Sequence, residues 1–156
     1  MFEQDYLMRQ LLAFFQALAR SWEIKDEDED PELAAETLEN AISSAVDMDG
    51  GILLSLAPES IASVMRVSGI DPQVTRYIAH SLLLESVYLS DAGNDDLSNV
   101  RAGQARAIAF EYGFELPDDP SDFASLSEGL DELSVSGYPE DLWDGFAANN
   151  GDEQVF

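Results

Sequence analysis

Asp-Pro occurs three times in this chain, at 30–31, 71–72 and 119–120, and each time an apolar pattern of helical period follows. An aspartate caps the first free N–H groups of a helix, and proline at the first helical position gives up an N–H that had no partner there. The chain is therefore cut into helices at stated places.

The first helix is expected over residues 2–23. Leu7, Leu11, Phe14, Leu18 and Trp22 form one apolar stripe, with Met8, Leu12, Phe15 and Ala19 beside it. Two adjacent stripes make more than half the circumference apolar. Such a helix is either central in its own domain or shared with a partner, and a two-fold homodimer through it is one expectation. Residues 24–30 read as a charged loop. The second helix runs from Pro31 to about Val46 and is broken by Gly50-Gly51. Ile52–Leu56 reads as the entry to a third helix restarted near Pro58 and closed by Gly69. A fourth helix is expected over 72–91 and a fifth over 95–113, stopped by Gly113.

Ala35, Leu38, Asp47, Leu53, Val64, Gly69 and Ile70 fall, at an offset of 44, on Ala79, Leu82, Asp91, Leu97, Ile108, Gly113 and Phe114. This spacing suggests two helical hairpins stacked as in tetratricopeptide or HEAT arrays, although two units are fewer than such arrays need. The fold class is thus all-α, with antiparallel helical hairpins and about five helices over residues 1–116. Residues 117–156 form an acidic, partly helical extension. One helix is expected from Asp119-Pro120 to about Leu133 and a shorter one from Pro139 to about Ala148, docking through aromatics. Residues 149–156 are expected to be loose.

The charge narrows the function. There are 32 Asp and Glu against 7 Lys and Arg, for a net charge of −25, and no basic residue follows Arg106. Such a surface repels nucleic-acid phosphate and anionic lipid and favours basic partners. Adaptation of the cell to salt would leave the same composition. With no cysteine, there are no disulfides or thiolate metal sites, which fits a cytoplasmic location. The apolar part of the first helix is too short to span a bilayer.

Candidate chemistry is sparse. Asp26, Asp28 and Asp30 match the first three ligands of a calcium loop, but Pro31 stands where glycine is required and Thr37 where the bidentate glutamate belongs. The Asp47–Gly50 run has no closing acid. His80 is the only histidine and is read as a surface or half-buried residue one turn after Arg76. No catalytic motif, cofactor loop or metal-ligand set is present, so neither an enzyme nor a cofactor is expected. A buried arginine–carboxylate cluster or a deep pocket holding His80 would favour catalysis.

The opening Phe2-Glu3-Gln4-Asp5-Tyr6-Leu7-Met8-Arg9 resembles the start of a family of small uncharacterised bacterial helical proteins whose members open with a Gln-Asp-Tyr-x-Met-Arg-like stretch. The stretch from Tyr77 to Phe114, ending in Tyr112-Gly113, is similar to that family's second hairpin. The resemblance covers about residues 1–116 and implies a tetratricopeptide-like fold, with no catalytic residue to carry over.

The function expected from these observations is a non-enzymatic protein–protein interaction module with an acidic surface. The alternatives are an acidic nucleic-acid mimic and an enzyme of unrecognised type. Candidate interaction residues are Gln4, Tyr6, Arg9, Phe15 and Trp22 on the first helix and Tyr138, Trp143 and Phe146 in the extension. A further expectation is that the extension occupies a groove of the helical body in cis.

Overall fold

The computed structural model describes residues 2–46 and 50–127. Among these the chain is all-α, with α1 (Phe2–Asp26), α2 (Pro31–Ala45), α3 (Gly50–Leu54), α4 (Pro58–Val67), α5 (Pro72–Asp91) and α6 (Asp95–Tyr112), followed by a further helical stretch at 124–127. No described helix is long and apolar enough to cross a membrane. No described group of His, Asp and Glu could hold a metal ion.

Two of the Asp-Pro signals act as read. The Asp30 side chain accepts from Leu33 N and that of Asp71 from Gln73 N, and each proline starts its helix. Gly69 and Gly113 end α4 and α6 at φ 72° and 73°, where a side chain would be strained.

Three local expectations are corrected. α1 runs three residues past 23, because Ile24 is buried and Lys25 reaches over Trp22 at 4.9 Å. The chain turns instead at Glu29, with φ 52°, so that Asp30 N bonds back to Ile24 O. Gly50-Gly51 opens the short helix α3, which is separate from α4 rather than an entry to it. Asp119-Pro120 starts no helix. Asp119 Oδ1 accepts from both N and Oγ of Ser121, and Pro120 O is taken by His80 Nε2 at 2.7 Å. The carbonyl that would bond Ala124 N is therefore engaged elsewhere. Ala124 N bonds Asp122 Oδ1 instead, and helix begins only at 124.

The centre of the molecule is the pair α1 and α5, which run parallel. Phe14 meets Tyr77, Ser21 Oγ lies 2.9 Å from Tyr88 Oη, and Lys25 pairs with Asp91. α2 packs antiparallel on α1 and also against α5, and α6 packs antiparallel on α5. α4 lies against α6 and parallel to it: Pro58 sits beside Gly103, and Arg66 pairs with Glu111. The offset-44 echo is therefore no repeat of packing, since α5 pairs with α6 whereas α2 pairs with α1.

Residues 117–127 form a strap across α1 and α5. Phe123 packs edge-on to Phe15 and against His80, Leu126 is buried, and Tyr77 Oη donates to Leu126 O. Met8, Leu12 and Phe15 of the second stripe of α1 are thus buried by the chain itself. His80 is 1% exposed, and this corrects its reading as a surface or half-buried residue. Its neighbours are Pro120, Phe123 and Asp122, while Arg76 stacks on Phe114. Burial holds the imidazole below its ordinary range, against the opposing effects of the Pro120 carbonyl and the Asp122 charge.

Candidate binding groove

The outer faces of α1 and α2 carry small residues at helical spacing: Ala13 and Ala17 on one, Ala41, Ser44 and Ala45 on the other. Helices lined this way leave a trough between their longer side chains. Here the trough is a cleft of about 310 Å³, with Phe14 in its floor and Gln10, Thr37 and Asn40 as polar members. It continues past Gln10, Ser44 and Ala45 into a second, more polar cleft of about 440 Å³. That one is lined by Tyr6, Val74 and the α4–α5 turn, residues 68–71. Gln10 Nε2 donates to Ala45 O at 3.1 Å, which satisfies a free carbonyl at the end of α2 and holds the two walls together.

The groove is almost free of charge. Asp71 is its one charged lining residue among those described, and it is engaged in capping α5. The acids gather elsewhere. Glu27, Asp28, Glu29 and Asp30 follow α1, and Asp91, Asp95 and Asp96 flank the α5–α6 turn. The Lys25–Asp91 pair, with N···O at 3.8 Å, brings both turns to one end of the bundle.

Of the residues singled out from sequence, Tyr6 stands at the groove, 61% exposed. Arg9 is exposed on α1. Phe15 is buried beneath Phe123, and Trp22 is half-buried under Lys25. Gln4 lies in the first turn of α1, with its side chain outside the described residues. Tyr138, Trp143 and Phe146 also lie outside them.

A second polar constellation escaped the sequence reading. Arg101 of α6, 7% exposed, donates from Nε to Glu85 Oε2 at 3.0 Å, from Nη2 to Glu39 Oε2 at 3.2 Å, and from Nη1 to Leu54 O at 2.8 Å. Gln104 accepts from Arg101 and donates to Leu54 O and Leu56 O. This is the buried arginine–carboxylate cluster that would have favoured catalysis, but neither cleft reaches it. Its partners come from α2, α5, α6 and the α3–α4 turn, and no spacing along the chain announces that they meet. The one available signal was Arg101 itself, a cation on an alanine-rich helix beside inward-facing positions.

No protein-family model, curated protein or solved structure matches the chain.

Proposed function

We propose that this protein is a non-enzymatic interaction module that binds a basic, amphipathic helical segment of another protein in the α1–α2 groove. The observation that carries this reading is the groove itself: an apolar floor at Phe14 between two walls of small residues, open along two helices. Small side chains let a third helix approach closely, so its larger apolar residues fill the trough. The net charge of −25 would draw a basic segment in and speed its encounter, while the groove, with Asp71 its one charged lining residue among those described, offers the bound apolar face the floor at Phe14. The arginine–carboxylate cluster lines neither cleft, and the reading is kept non-enzymatic.

The test is an NMR titration of the labelled full-length chain with a Lys/Leu amphipathic peptide, repeated with Ala13→Trp, which fills the exposed wall of the groove. Shifts centred on Ala13, Ala17, Ala41 and Ser44 that vanish in the variant would support the reading. Shifts confined to the acidic end, at 27–30 and 91–96, and unchanged by Ala13→Trp would overturn it in favour of unspecific charge attraction.

A further inference from the structure

The cluster around Arg101 holds one guanidinium and two carboxyl groups. Glu85 of α5 is fully buried, and Glu39 of α2 is about one third exposed. If both carboxyls were ionised, the cluster would carry a net negative charge inside the protein. That is costly even beside a cation. One oxygen of Glu85, Oε2, takes the Arg101 Nε–H. The other, Oε1, is buried with no donor addressed to it. An unpartnered carboxylate oxygen at a fully buried position is expensive, whereas a protonated one is a donor. Glu39 is the neighbouring carboxylate, held through its own Oε2 on the same Arg101 guanidinium.

We propose that Glu85 and Glu39 share a single proton, carried on Glu85 Oε1 and donated to Glu39, and that this proton clamps the α3–α4 connection onto α6. With the proton in place the cluster is neutral: Arg101 positive, Glu39 negative, Glu85 uncharged. Arg101 is then free to present Nη1 to Leu54 O, and Gln104 can bond Leu54 O and Leu56 O. Loss of the proton to solvent sets two carboxylates against each other around one guanidinium. The joint between α2, α5 and α6 opens, and the 54–57 turn loses its anchor.

The charged groups facing Glu85 are Glu39 from α2 and Arg101 from α6. Burial comes first in pushing the Glu85 carboxyl up to about 9, followed by the hydrogen bond and charge of Glu39, with Arg101 opposing. Glu39 is held below its ordinary range, chiefly by the hydrogen bond from Glu85. The sign follows. A carboxyl raised in the folded state gives stability that is full below its unfolded value of 4.5 and is lost as pH rises through about 9.

Glu85→Gln mimics the protonated acid without titrating. Its folding constant should equal that of the parent near pH 5 and exceed it by about tenfold for each further pH unit up to about 9. Amide exchange at 50–57, corrected for its intrinsic base catalysis, should accelerate above pH 9 in the parent but not in the variant. Two curves that stay parallel across this range would overturn the proposal. Infrared spectra of the full-length parent give an independent reading should Glu85→Gln fail to fold. A protonated-carboxylic-acid band at neutral pH that Glu39→Gln weakens supports the shared proton, and absence of the band refutes it.

Discussion

Glu29 shows how much one backbone angle can cost. At φ 52° it occupies the left-handed region, where a Cβ crowds the following carbonyl by roughly 1–2 kcal/mol. The geometry is imposed by the bond from Asp30 N to Ile24 O, which closes α1, and by Asp30, which must at once cap α2. A glycine there would close the helix without strain. Glu29→Gly should therefore raise the unfolding free energy by about 1 kcal/mol in a denaturant titration, despite the greater freedom it gives the unfolded chain. No measurable change, or a loss, would mean that the side chain contributes more than the strain costs. Tyr77 and Tyr88 are the counterpart within the core. Each buries a ring and is left one hydroxyl to satisfy, and each finds a distant partner, Leu126 O and Ser21 Oγ. Burial pushes both phenols above their ordinary range.

At the scale of elements, the strap 117–127 completes the core. Its aromatic and aliphatic anchors, Phe123 and Leu126, lie over Phe15, Tyr77 and His80, and its Pro120 carbonyl is held by the only histidine. Leu126 is 1% exposed, so Leu126→Ala removes a fully buried side chain and should cost about 2–4 kcal/mol. Truncation after residue 116 should lower the melting temperature further and expose enough apolar surface to bind a hydrophobic dye. A truncated chain that melts like the full-length protein would show that the strap adds nothing to the core. α5 shows why the body tolerates such dependence. It is buried against α1, α2, α6 and the strap, while α3 packs on α2 and α4 on α6.

The whole molecule carries its charge at a cost. At −25, like charges repel one another, and among the described residues they gather where the α1–α2 and α5–α6 turns meet. Added salt shortens the screening length from about 10 Å at 0.1 M to about 3 Å at 1 M. The melting temperature should accordingly rise steadily with NaCl over that range. A monotonic fall would mean that surface ion pairs such as Arg66–Glu111 and Arg20–Glu23 outweigh the repulsion, which their exposure argues against. The same field would aid binding of a basic segment and weaken it as salt is added, so stability and affinity should move in opposite directions.

The helices were legible because their signals are local. Asp30-Pro31 and Asp71-Pro72 cap their own helices, Gly69 and Gly113 end them, and the period of the apolar residues marks each inner face. The same local reading failed at Asp119-Pro120, where the carbonyl needed by the helix is captured by a histidine 40 residues away. It failed again at the offset-44 echo, because similar spacing does not decide which helix lies beside which. The groove, the strap and the Arg101 cluster are products of tertiary packing. Glu39, Glu85 and Arg101 look like ordinary helix-surface charges in the sequence, and only the meeting of α2, α5 and α6 buries Glu85 and Arg101 and brings Glu39 to them. Local capping and periodicity are written along the chain, whereas burial and partnership are properties of the packed whole.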